Sequence, residues 1–129
     1  NTKRHLVEIE PHLLALRIDE NIFFANTKAV EQAISQALAE YPDTREVLLI
    51  LSAVNHIDST GLDMLSELTE GLKERDIGLH LAEVKGPVMD QLQHTDWIGR
   101  QIGRVFPSTD IAFNTLGKVA SRAPAHSGE

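Results

Sequence analysis

Apolar positions along this chain follow two rhythms, and each rhythm names its element. Val47-Leu48-Leu49-Ile50-Leu51 is an unbroken apolar run of strand length. A strand buried on both faces reads as such a run, whereas a strand with one wet face alternates. From Leu62 the period becomes helical, with Leu62, Leu65, Leu68 and Leu72 on one stripe. Between the two lie a polar loop, Ser52 to His56, and then Ile57-Asp58-Ser59-Thr60-Gly61. Strand, tight loop and helix start make half of a βαβ unit. Asp58 and Ser59 stand where caps are wanted, at the positive end of the helix dipole. In open α/β folds, ligands and partners gather outside the carboxyl ends of the strands. A site is therefore expected at Asp58, Ser59, Thr60, Gly61 and Leu62.

The rest of the chain extends the pattern in both directions. His5 to Glu10 alternates as an edge strand, Pro11 breaks it, and His12 to Asp19 is a second strand, giving a hairpin or a bent crossing. Ile22-Phe23-Phe24-Ala25 reads as a short strand or an anchored loop that seats the next helix. That helix is predicted from about Thr27 to Glu40, with Asn26 or Thr27 as N-cap and Ala29, Val30, Ala33, Ile34, Ala37 and Leu38 inward. Tyr41-Pro42-Asp43 ends it, because proline cannot continue a helix. After the organising unit come a strand at Leu79 to Ala82 and a short helix at Val88 to His94, with Pro87 in its first turn. An irregular stretch, Thr95 to Arg104, carries the only tryptophan, Trp97, which either plugs the core or lies exposed. Val105-Phe106 is a last short strand, and Pro107-Ser108 opens a final helix from about Thr109 to Ser121. Residues 5–121 are thus one domain, and 122–129 a flexible tail. The expected fold is α/β, a mixed and mainly parallel central sheet flanked by about four helices.

Composition narrows the chemistry. With no cysteine, the chain has no disulfide, thiolate metal site or cysteine nucleophile. A net charge of −7 without a basic cluster argues against nucleic acid, whose phosphates demand one, and weakly against anionic lipid. No apolar run approaches the roughly 20 residues that span a bilayer. The chain begins Asn1-Thr2-Lys3 without an initiator methionine, which suggests a piece of something longer.

Four stretches in order resemble the STAS domain, the family of anti-sigma-factor antagonists and of the cytoplasmic domains of SulP-type anion transporters. The first is Leu48-Leu49-Ile50-Leu51 through Asp58-Ser59-Thr60-Gly61-Leu62. The second, Ala15-Leu16-Arg17-Ile18-Asp19 followed by Ile22-Phe23-Phe24-Ala25-Asn26, is similar to the transporter branch, and the G-E-L-D type turn of the antagonists is absent there. Val84-Lys85-Gly86-Pro87-Val88 and Val105-Phe106-Pro107-Ser108-Thr109-Asp110 also match that branch. The resemblance implies a domain on the cytoplasmic side of the inner membrane, tethered to a sulfate-, bicarbonate- or dicarboxylate-like anion transporter. Its role would be regulation or protein contact. The implied partner is the membrane domain of the same transporter, with a soluble cytoplasmic protein as a second candidate and homodimerisation among the parent protein's expected states. The alternative is a free-standing anti-sigma-factor antagonist switched by phosphorylation.

Ser59 aligns with the serine that is phosphorylated in the antagonists, and a phosphate there adds about −1.5 to −2 charge. The plainer reading is that Asp58 and Ser59 only cap the helix, for ~1 kcal/mol. A helix start can also hold an anion, including a nucleotide phosphate. Without a glycine-rich phosphate loop, and with Asp58 repelling it, only weak binding is left open. None of His5, His12, His56, His80, His94 and His126 pairs with a second ligand at metal spacing, so neither metal nor cofactor is expected. His56 is read as a loop-surface histidine and His80 as a strand-face residue. Ser59 with His56 lacks an oxyanion motif, and no catalysis is expected.

Overall fold

The chain lays its strands side by side in the order in which it makes them. A computed structural model describes residues 4–95 and 104–117. Its elements are β1 (Arg4–Glu10), β2 (Leu13–Ile18), α1 (Thr27–Glu40), β3 (Glu46–Ile50), α2 (Ser59–Glu74), β4 (Gly78–Ala82), α3 (Gly86–Gln93) and β5 (Val105–Phe106). A last helix, α4, is described over residues 109–117. The five-stranded sheet has the order β1-β2-β3-β4-β5. Only β1 is antiparallel; β2 to β5 run parallel. This is the mixed, mainly parallel sheet with helices that the pattern predicts. Trp97, the end of the last helix and the 122–129 tail lie outside the described residues.

Strand alternation sorts the core into two layers. Leu14, Leu16 and Ile18 of β2, Val47 and Leu49 of β3, and Leu79 and Leu81 of β4 meet Val30 and Ile34 of α1, Leu65 and Leu72 of α2, and Val88 of α3. On the other face Leu13, Ala15, Leu48, Ile50, Ala82 and Phe106 meet Ala112 and Leu116 of α4. Crossovers that all move the same way across a sheet, each right-handed, put their helices on one face. α4 covers the second face, so β3 is buried on both sides, as its unbroken apolar run requires. Because the strand order never reverses, the sheet has no topological switch point to open a ligand crevice.

Two readings need correction. Ile22 to Ala25 is no strand: Ile22 makes one isolated bridge with Ile57, and turns follow. Of its four residues only Ile22 is buried. The alternative, an anchored loop, holds. His80 is more than a face residue. It is only 7% exposed, and its Nε2 lies 2.7 Å from Oε1 of Glu46. The backbone N–H of Arg104 donates to its Nδ1 at 3.2 Å. A ring that accepts at Nδ1 carries its proton at Nε2 and donates it to the carboxylate, so one neutral tautomer serves both bonds. Gly78 makes the room: a Cβ there would stand 2.5 Å from Glu46 Oε1 and 2.7 Å from His80 Nε2.

Candidate functional site

The loop from β3 to α2 is built on one carboxylate. Asp58 is the N-cap of α2, in extended backbone conformation, and its Oδ1 accepts the Gly61 N–H at 2.8 Å. Its Oδ2 accepts the Phe24 N–H at 3.0 Å. Both oxygens are thus turned onto backbone donors, one in α2 and one in the loop that leads into α1. Ser59 is the first helical residue, and only Asp58, of the two expected caps, binds an orphan N–H of α2. The Ser59 and Thr60 side chains are exposed and make no hydrogen bond among the described residues. Leu62 is partly buried and packs on the core.

Gly61 is where the helix start closes on the sheet. A Cβ at this position would lie 2.7 Å from Ile57 Cγ2 and 3.0 Å from both Ile22 Cγ2 and the Ile22 carbonyl oxygen. The close approach it permits is therefore intramolecular, of Ile22 and Ile57 rather than of a ligand. The Ile22 and Ile57 strips are laced by main-chain bonds: Ile22 N–H to the His56 carbonyl at 3.2 Å, and Asp58 N–H to the Ile22 carbonyl at 3.1 Å.

Residues that local pattern does not single out complete the frame. Oε1 of Gln91, on α3, accepts the Ile57 N–H at 3.0 Å, and its Nε2 donates to the Ile57 carbonyl. Oδ1 of Asn21 accepts the N–H groups of Asn55 and His56 at 2.7 and 3.1 Å. Lys85 donates to Oδ1 of Asn55 at 2.7 Å. Asn26 accepts the Phe23 N–H at 2.9 Å and donates to the Asn21 carbonyl at 2.7 Å. Glu83, in the left-handed region at φ 62°, caps α4 from a distance. Its Oε2 accepts from the backbone N–H and hydroxyl of Thr109 at 2.9 and 3.0 Å. Apart from Asn26, which bonds within its own turn and is also the expected N-cap of α1, these partners lie 26 or more residues apart in sequence, so no local signal marks them.

The result is a firm surface rather than a pocket. It shows two free hydroxyls at a helix start and, beside them, the rings of Phe23 and Phe24. These are 37% and 72% exposed and stack edge to face with centroids 5.7 Å apart. Among the described residues no group of three or more histidine, aspartate or glutamate side chains could hold a metal ion. No described helix is long and apolar enough to cross a membrane. Such a surface can bind a partner, and it can accept a phosphoryl group at Ser59 or Thr60.

Comparison with known proteins agrees with the geometry. The STAS domain family model matches residues 5–112, and the chain belongs to this family. Sulfate transporter 3.1 of Arabidopsis thaliana is 29% identical over 103 residues, covering 73% of this chain but 16% of the transporter. The chain therefore spans under one fifth of that relative's length. A sulfate transporter family protein from Wolinella succinogenes has the same fold, with TM-score 0.74, 22% identity and coverage of 91% of this chain and 93% of that one. A putative anti-sigma factor antagonist from Thermotoga maritima is also similar, with TM-score 0.72, 15% identity and coverage of 88% and 92%.

Proposed function

We propose that this chain is the cytoplasmic STAS module of a SulP-type secondary anion transporter, and that it regulates or docks rather than transports or catalyses. The observation that carries the reading is the proportion of the match. Nearly three quarters of this chain aligns with 16% of a sulfate transporter. The site supports it, because a surface of occupied polar groups and exposed hydroxyls suits a partner better than a substrate. The working surface is the 57–62 loop with the face of α2 behind it.

One added charge at Ser59 is the test. Ser59→Asp in the full-length transporter is expected to weaken partner contact or alter anion uptake, and Ser59→Ala to do much less. Gln36→Asp, on the exposed side of α1, is the control. Equal behaviour of Ser59→Asp and Gln36→Asp would remove the loop from the interface. A second reading, a free-standing anti-sigma antagonist switched at Ser59, is favoured by the exposed hydroxyl and by the antagonist likeness over 92% of that chain. The reading frame upstream of Asn1 separates the two: a run of membrane-spanning segments supports the transporter, and its absence supports the antagonist.

A further inference from the structure

We infer that His80 is an acid-operated latch: when its ring takes up a second proton, it grips β3 harder and lets go of the chain entering β5. The device lies within this chain and stands under either reading of its function. Backbone geometry fixes the starting state. The Arg104 N–H can only donate, and it meets Nδ1 at 3.2 Å, so Nδ1 is the bare nitrogen. Nε2 carries the proton and gives it to Oε1 of Glu46 at 2.7 Å. Histidine is the side chain whose charge ordinarily changes between about pH 5 and 8.

A second proton has one place to go. It must bind Nδ1, the atom that the Arg104 amide is using. Two donors then face each other, and the amide loses its acceptor. At the other nitrogen the change is opposite: the bond to Glu46 becomes an ion pair, and charge-assisted bonds are the stronger kind. Turning the ring over would forfeit both contacts, since carbon atoms would replace both nitrogens.

Which side yields depends on how each is held. Glu46 and His80 belong to β3 and β4, which pair along their whole length, from Glu46 with Gly78 to Ile50 with Ala82. β5 has two residues and pairs only through Leu81 with Val105 and Ala82 with Phe106. Arg104, just before it, is exposed, and its carbonyl accepts the Leu81 N–H at 2.8 Å. Arg104 can therefore swing toward water, where its amide finds a new acceptor, and that neighbouring bond is the next to open. The new charge also arises beside Phe106, whose ring centroid lies 6.0 Å from that of His80.

The other groups on this face are few. Among the described residues Glu46 is the one charged side chain bonded to the ring. α4 presents Ala112, Phe113 and Leu116 to this layer. Glu10 of β1 shares a row of the sheet with Glu46, but Leu13 stands between them, and its Oε1 lies toward Gly117.

Nuclear magnetic resonance on the isotope-labelled 129-residue chain tests this as acidity rises from about pH 8 to pH 5. The His80 ring nitrogens and the Arg104 amide are expected to change with one midpoint. Protection of the Arg104 amide against exchange, corrected for the intrinsic effect of pH, should fall about tenfold, the equivalent of one hydrogen bond. Leu49 of β3 should keep its protection. In His80→Gln, whose side chain has an acceptor but does not titrate, Arg104 should no longer respond. Separate midpoints, a His80 ring that stays neutral until the chain unfolds, or an Arg104 response that survives in His80→Gln would each overturn the latch. Should that variant not fold, the two midpoints of the parent chain decide alone.

Discussion

Asp58 and Phe24 stand 34 positions apart and meet in a single 3.0 Å hydrogen bond from the Phe24 backbone to the carboxylate. The same carboxylate caps α2. One side chain thus locks the start of a helix to the loop before another.

Asp58→Ala is expected to destabilise the domain by about 2–3 kcal/mol, the sum of a lost cap and a lost charge-assisted hydrogen bond. Asp58→Asn keeps one acceptor oxygen in place of two and should lose about half as much. Urea denaturation of the variants measures both, and equal losses would contradict the double role.

Two glycines in one helix should respond to alanine with opposite signs. At Gly61 the new methyl would meet Ile57 at 2.7 Å, and overpacking of this kind costs about 1–3 kcal/mol. At Gly71 nothing lies within 4 Å, so Gly71→Ala should gain about 0.5–1 kcal/mol from helix propensity alone. Thermal unfolding midpoints of the two variants should lie on either side of the parent.

The His80–Glu46 pair predicts a pattern of partial rescue. Glu46→Ala leaves the buried Nε2–H without an acceptor and should cost about 1–3 kcal/mol, whereas Glu46→Gln retains an acceptor and should cost less. Gly78→Ala should resemble Glu46→Ala, because its methyl occupies the space of the bond. Nitrogen chemical shifts of the His80 ring should report the proton on Nε2 in the parent protein.

Glu83→Ala should loosen one helix and leave the rest. The loss of two acceptor contacts at Thr109 is worth about 1–2 kcal/mol by analogy with N-cap removal. Amide exchange should speed up over residues 109–117 while β3 keeps its protection. Uniform loss of protection would mean that α4 does not open separately.

How much of this was legible depended on the range of the interaction. The β3 run, the helical stripe of α2 and the cap at Asp58 are local patterns, and they could be read directly. The α2 start reads three residues too late if periodicity alone is followed from Leu62, because Ser59 and Thr60 are exposed and, with Gly61, leave no apolar mark. Gln91 reaches Ile57 across 34 positions and Glu83 reaches Thr109 across 26, and glutamine or glutamate at such places looks like any surface residue. His80 was misread because a lone histidine in a strand gives no hint of a buried acceptor on the neighbouring strand. The Phe23-Phe24 pair stayed ambiguous. Apolar composition left a short strand and an anchored loop as alternatives, and the loop it proves to be leaves Phe24 72% exposed.

The unreversed strand order has a consequence for how the chain comes off the ribosome. Each strand pairs with the one made before it, so every new strand finds its template already synthesised. None has to wait for a later segment to be inserted between two earlier ones. Growth from one edge keeps the loops that must close short, which favours rapid folding. Until α4 emerges, however, one face of that growing sheet stays bare. Leu48, Ile50 and Phe106 remain uncovered until Ala112 and Leu116 arrive, so α4 is the helix that renders the nascent domain safe from aggregation.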